Sequence, residues 1–192
     1  MAVTMCVDDS RTLRLACECL APGGVIMYPT DTAYALGADT TNPDAVQRVI
    51  EAKTRPVDQK MASMYADLAM IEQHIGVDLR LRALVQAFLP GPLTIIFQGS
   101  GIRIPDHPFC IALVRAFGKP ITCTSANVSG KPSPYVVRDN SDLAVADLII
   151  DAGHLPARLV STIYDLDSDT VLREGPISHE QIRTTLSKAA LR

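Results

Sequence analysis

The chain has 192 residues, 47% of them hydrophobic and 20% charged, which excludes a disordered segment and allows a core that needs no staples. Its net charge of −3 excludes a surface that grips nucleic acid everywhere, and leaves a local patch or a small-molecule ligand. Tryptophan is absent and aromatics make up 5%, so a binding site here must use aliphatic walls and polar groups rather than stacking.

In chain order, residues 9–21 have Leu13, Ala16, Cys17 and Leu20 at helical spacing, and Gly23-Gly24 ends that helix. Val25–Tyr28 is a short apolar run stopped by Pro29, the pattern of a buried strand. Asn42-Pro43 starts a helix with a capping side chain and a proline at the first helical position; Arg55-Pro56 stops it. Met61–Tyr65 reads as a strand, followed by helices over Asp67–Ile75 and Asp78–Phe88. Pro90-Gly91-Pro92 breaks the chain before a strand at Leu93–Gln98 and an extended piece at Ile102–Ile104. A helix over His107–Phe117 ends at Gly118, and a strand at Ile121–Thr124 opens into the Ser/Gly/Pro loop Ser125–Pro134. Strands are expected at Leu148–Asp151, Thr162–Leu166 and Thr170–Arg173. Ser178 with Gln181 forms a capping box for a last helix.

This alternation predicts one α/β domain over residues 1–192. The crowding of strands after residue 147 predicts a sheet with both parallel and antiparallel pairs. The five cysteines are odd in number and form no CxxC pair, so buried reduced thiols are expected. The four histidines are scattered, and no metal site is predicted. No apolar run reaches membrane-spanning length, and Asp8, Asp9, Arg11 and Arg14 stand where a leader would need apolar residues. A cytoplasmic protein without a membrane partner is expected.

Common nucleotide motifs fail. Ser129-Gly130-Lys131-Pro132 lacks the first glycine and the final Ser/Thr of a P-loop. Gly99-Ser100-Gly101 lacks the third glycine of a dinucleotide fingerprint, and no GxSxG elbow occurs. Four polar clusters remain. Tyr28-Pro29-Thr30-Asp31-Thr32 follows the first predicted strand, and its plainer explanation is a hydrogen-bonded turn. Lys53-Thr54-Arg55 ends a helix; it is either a solvated complement to the helix dipole or a cationic clamp for phosphates. Thr124-Ser125-Ala126-Asn127 follows a strand, either as a capped turn or as short donors aimed at phosphate. Ser161-Thr162 with Arg173-Glu174-Gly175-Pro176 adds a cation at a strand end, where an isolated Arg is most often a surface residue.

Taken together and in this order, GGVIMYPTDTAYALGAD (Gly23–Asp39), AKTRPVDQK (Ala52–Lys60), LPGPLTIIF (Leu89–Phe97), IRIPDHP (Ile102–Pro108), GKPITCTSANVSGKPSP (Gly118–Pro134), STIYDL (Ser161–Leu166) and LREGPIS (Leu172–Ser178) resemble the YrdC/YciO-type threonylcarbamoyl-adenylate synthases over roughly Gly23 to Ile177. The resemblance implies a twisted mixed open sheet with helices on its faces around a concave electropositive cavity. It implies an enzyme, a nucleotidyltransferase that forms threonylcarbamoyl-AMP and pyrophosphate from L-threonine, bicarbonate and ATP, with Mg²⁺ as the expected co-ion. By analogy, Lys53 and Arg55 are the catalytic, ATP-facing pair. Ser125, Asn127, Ser133 and Arg173 complete the ATP site. Thr30, Thr32, Arg103 and Ser161 form the threonine site, with Tyr28 nearby and Arg103 facing the carboxylate. The product would serve threonylcarbamoyladenosine formation in tRNA, so tRNA or tRNA-modification proteins are expected partners. Two departures stand out: Met64 occupies the position where some relatives place a threonine-contacting His, and the segment before Arg103 is short. The chain looks like the short, single-domain form. The alternatives are a YciO-like member with another substrate and an RNA-binding module without catalysis.

Overall fold

The computed structural model describes residues 2–54, 61–137 and 145–190. Ten strands lie in the sheet order β1-β8-β2-β3-β7-β4-β6-β5-β9-β10. They are β1 (Val3–Cys6), β2 (Ile26–Pro29), β3 (Tyr34–Gly37), β4 (Ala62–Met64), β5 (Leu93–Phe97), β6 (Ser100–Arg103), β7 (Ile121–Ser125), β8 (Leu148–Asp151), β9 (Thr162–Asp165) and β10 (Thr170–Arg173). The sheet combines parallel pairs (β1/β8, β2/β8, β4/β6, β5/β9) with antiparallel ones (β2/β3, β3/β7, β4/β7, β5/β6, β9/β10), so it is mixed as the strand crowding predicts.

Among the described residues, six α-helices pack on this sheet: α1 (Thr12–Leu20), α2 (Pro43–Ala52), α3 (Leu68–His74), α4 (Leu79–Phe88), α5 (Pro108–Phe117) and α6 (His179–Ala189). Their ends follow local chemistry. Asn42, Asp67 and Asp78 accept backbone N–H groups at N-caps. Ser178 and Gln181 close the expected capping box. Gly118, at φ 76°, takes the left-handed conformation that stops α5.

β2 shows why its sequence is apolar throughout. Ile26 and Tyr28 pack with α1 and α5 residues such as Leu20, Cys110 and Leu113. Val25 and Met27 alternate onto the other face, among Leu36, Val49 and Ala126. A third core joins α4 and α6 to the far strands through Leu81, Leu84, Ile95, Tyr164 and Ile182.

The sequence reading missed two strands. β1 is an exposed edge strand without a continuous apolar run. β3 is the partner of β2 in a hairpin whose tip is the Thr30–Ala33 turn. The thiols also differ from expectation: Cys110 and Cys123 are buried, but Cys6 is exposed and Cys17 and Cys19 are partly so. Among the described residues, no helix is long and apolar enough to cross a membrane.

Candidate functional site

The strand ends and loops around β3, β7, β4, β6, β5 and β9 enclose a cavity of about 550 Å³, within the range of small-molecule sites. Thr30, Thr32, Lys53, Arg103, Ser125, Asn127, Ser133, Ser161 and Arg173 all line it. Nine of the ten residues singled out from sequence therefore share one hollow, although residues 30 and 173 are far apart in the chain. The tenth, Arg55, lies outside the described residues. Four cations line the cavity (Lys53, Arg103, Lys131 and Arg173), and no carboxylate does among the described residues. Such a lining favours anions.

The hairpin tip and β6 build the first part. Thr30 Oγ1 donates to the Ala33 carbonyl and accepts the backbone N–H groups of Thr32 and Ala33, so this is the hydrogen-bonded turn that the motif's chemistry allows. The same turn faces the cavity. Arg103, 7% exposed, donates one terminal nitrogen to Asp31 Oδ1 at 2.7 Å and to Thr32 Oγ1 at 3.0 Å. Its Nε is buried and has no partner, and so is Nδ1 of nearby His107. Burial pulls the His107 imidazole below its ordinary value, against the opposing pull of Asp31 and Asp106.

α2 and the loop after β7 build the second part. Lys53 is 3% exposed, not a solvated helix-end cation. Its ammonium donates to the carbonyls of Ser125 (2.6 Å) and Asn127 (2.9 Å) and to Asn127 Oδ1 (3.2 Å). In return, the Ser129 N–H donates to the Lys53 carbonyl. Ser125 Oγ donates to Asn127 Oδ1, and Asn127 Nδ2 donates to the Lys131 carbonyl. Lysine, loop and asparagine thus form one hydrogen-bonded unit.

β5, β9 and β10 supply the third part. Ser161, 1% exposed, shares a 2.9 Å hydrogen bond with Thr94. Arg173 donates Nε and a terminal nitrogen to the Ser161 carbonyl, and the same terminal nitrogen to Ser161 Oγ. Arg173 is therefore more than a solvated surface residue, although it stays open to the cavity. Desolvation and then the field of Arg103 pull its guanidinium below its ordinary value. Gly175 is required behind Ser161: a Cβ there would lie 2.4 Å from Thr162 N and 2.6 Å from Val160 O.

One expectation is corrected, and the other departure takes a definite shape. Met64 does not line the cavity; it is fully buried in the core with Tyr28 and Cys110, where an apolar thioether gains most from packing. The short segment before Arg103 is a tight β5–β6 hairpin in which Gln98 (φ 49°) and Gly99 (φ 71°) make the turn between paired Phe97 and Ser100. Sequence reasoning also passed over three residues. Asp31 sat inside a quoted motif, and a buried arginine's need for a carboxylate could have exposed it. Lys131 was considered only as part of a failed P-loop. Thr94 had no sequence signal, because its role depends on the β5/β9 pairing.

The donor set bears on the expected Mg²⁺. The cavity offers hydroxyls, an amide and cations, and the described residues contain no group of three or more carboxylate, His or Cys ligands. That does not fit a dication held by the protein.

Fold and site together define an α/β protein with a cationic cavity suited to an anionic small molecule. Residues 18–175 match the Sua5/YciO/YrdC family model, described as "Telomere recombination", and the chain belongs to this family. It is 36% identical, over 89% of its length and 55% of the relative's, to a threonylcarbamoyl-AMP synthase of Bacillus subtilis. It is 32% identical to Escherichia coli YciO, which is uncharacterised, over 87% of this chain and 90% of that one. The structure of Pyrococcus abyssi Sua5 complexed with L-threonine superimposes with a TM-score of 0.84 at 28% identity, covering 96% of this chain and 60% of that one. The chain thus spans a little over half the length of the curated synthases from Bacillus subtilis and Pyrococcus abyssi.

Proposed function

We propose that this chain is an L-threonylcarbamoyladenylate synthase, a nucleotidyltransferase acting in the cytoplasm to supply threonylcarbamoyladenosine formation in tRNA. One observation carries the reading. Residues from six separate segments converge on one cationic cavity, and they are the residues that the family resemblance assigns to ATP and threonine. The relatives named threonylcarbamoyl-AMP synthase and the neighbour complexed with L-threonine support it.

In this reaction the neutral amine of threonine takes up carbon dioxide derived from bicarbonate and releases a proton, giving a carbamate. A carbamate oxygen attacks the α-phosphorus of ATP and pyrophosphate leaves. The attacker is already anionic, so no side-chain nucleophile is needed. Catalysis rests on positioning and on cancelling phosphate charge. Arg103, Thr30, Thr32 and Ser161 orient threonine. Ser125, Asn127, Ser133 and Arg173 take the phosphates. Lys53 holds the 125–131 loop against them, and by resemblance alone Arg55 faces ATP as a further phosphate-neutralising cation. Magnesium would travel on the phosphate oxygens, and no step here is routed through it.

The test is mass-spectrometric detection of threonylcarbamoyl-AMP after mixing the purified chain with L-threonine, bicarbonate and ATP. Product that depends on all three supports the reading; its absence defeats it. A second reading is a YciO-like member with another substrate, since the chain is also 32% identical to YciO over 87% of its length. Replacing threonine with other amino acids or with carbamoyl phosphate separates the two. Tight, salt-dependent tRNA binding without ATP turnover would instead favour an RNA-binding module.

A further inference from the structure

Thr94 is the only polar residue of β5. Leu93 and Ile95 face the core, while Thr94 and Ile96 alternate onto the face that lines the cavity. Packing does not ask for a hydroxyl there, because a β-branched apolar side chain would fill the same place on a buried strand. The pairing of β5 with β9, extended by the Thr162 N–H donating to the Pro92 carbonyl at 3.0 Å, fixes Ser161 beside Thr94. The two hydroxyls are 2.9 Å apart, and Thr94 and Ser161 are 7% and 1% exposed.

This pair holds one proton more than its acceptors take. Two hydroxyls carry two protons, and one of them lies between the oxygens. The other has no acceptor among the described residues, because the remaining bond to the pair is one that Arg173 donates to Ser161 Oγ at 3.0 Å. A buried donor without an acceptor costs free energy, and this one stands in the cavity lining. Arg173 also polarises the pair, since a hydroxyl that accepts from a cation becomes a stronger donor.

We propose that Thr94 is a further substrate-positioning residue, which joins Ser161 in a two-hydroxyl unit that donates one hydrogen bond to an oxygen of the amino-acid substrate. The inference rests on the proposed threonine site. Thr94 either accepts the Ser161 proton and gives its own to the ligand, or donates to Ser161 and frees the proton of Ser161. In both arrangements the ligand meets a donor, so an acceptor oxygen is held and an ammonium is not. Without the Thr94 hydroxyl, Ser161 Oγ keeps Arg173 as its one partner and loses the contact that fixes its rotation.

The experiment uses the intact chain. Thr94→Val should raise the KM for threonine roughly five- to tenfold and leave kcat and the KM for ATP within about twofold. Thr94→Ser keeps the hydroxyl and should stay within about twofold of the wild type. In a Ser161→Ala background, Thr94→Val should add less than about twofold, because the unit is already broken. A packing role alone would move kcat or both substrates, and its effect would add to that of Ser161→Ala. An unchanged KM for threonine in Thr94→Val, an equal rise for ATP, a Ser variant that behaves like Val, or additive effects overturn the proposal. If Thr94→Val does not fold, Thr94→Cys carries the same expectation, because a thiol is a weak donor and acceptor. L-Valine, which lacks the hydroxyl, locates the acceptor. A loss shared by L-valine points to the carboxylate and a loss confined to threonine to its side-chain hydroxyl, and either supports the proposal. Calorimetric titration of threonine repeats the test without turnover, so failure to form threonylcarbamoyl-AMP would sink the proposed function and leave this binding result standing.

Discussion

Two regions of the cavity hold a buried cation, and they hold it in opposite ways. At the hairpin tip, Arg103 is tied to the Asp31 carboxylate at 2.7 Å. At the loop after β7, the Lys53 ammonium donates to the carbonyls of Ser125 and Asn127 and to Asn127 Oδ1, and Lys131 lies in the same lining. The difference teaches that a cation is buried only where fixed oxygens accept from it, supplied by a carboxylate and a hydroxyl at the turn and by a loop's carbonyls at the other place.

The comparison breaks most visibly at Arg103. Arg103→Ala leaves Asp31 as a buried, unpaired carboxylate and should cost about 3–5 kcal/mol of stability, read by urea unfolding. A loss below about 1 kcal/mol would mean that the pair is not buried in solution. Lys53→Ala should show the opposite balance. Its loss leaves the carbonyls of Ser125 and Asn127 without this donor, and the stability loss should be about 1–3 kcal/mol. Pyrophosphate release should fall about 10²–10³-fold as the loop loses its anchor. Unchanged turnover would remove Lys53 and its loop from the phosphate site.

Much of this was legible in the sequence, for physical reasons. Helices α2, α4 and α6 announce themselves through caps, because Asn42, Asp78 and Ser178 bond the first free N–H groups of their own helices. The site motifs were legible because each is a local turn or strand end with polar side chains. What was not legible is long-range. The dipole argument placed Lys53 in water, and only the fold brings the carbonyls of residues 125 and 127 to its ammonium. Asp31 acquires its partner 72 positions away in sequence. β3 escaped notice because Tyr34–Gly37 reads as the end of a turn until β2 and β7 flank it.

A smaller effect sharpens the boundary between the two regions. Ser161→Ala removes a hydroxyl shared by Thr94 and Arg173 but leaves the carbonyl that Arg173 also grips. The expected stability loss is about 1 kcal/mol. The KM for threonine should rise several-fold while that for ATP changes less. A larger effect on ATP would move Ser161 to the phosphate side.

The smallest effect lies outside both regions and serves as a control. Burial pushes the Asp39 carboxyl up, but hydrogen bonds from Lys119 and Thr41 outweigh it and hold the group below the usual carboxylate range. Asp147 is held low in the same way by Arg48 and the Val25 N–H. For groups depressed in the folded state, the unfolded chain binds more protons in acid. Their stabilisation is therefore fully present above about pH 4 and is lost as pH falls through the lower, folded-state values. Asp39→Asn should flatten that acid slope, read as unfolding free energy against pH. An unchanged slope would show that Asp39 is not held low.

The most direct test is a crystal structure of the chain with L-threonine and a non-hydrolysable ATP analogue bound together. The threonine carboxylate is expected at Arg103, beside the Thr30–Thr32 turn, and the triphosphate along Ser125–Ser133. A triphosphate seated on Arg103, or threonine seated on the loop, would contradict the placing of the two substrates on which the proposed mechanism depends.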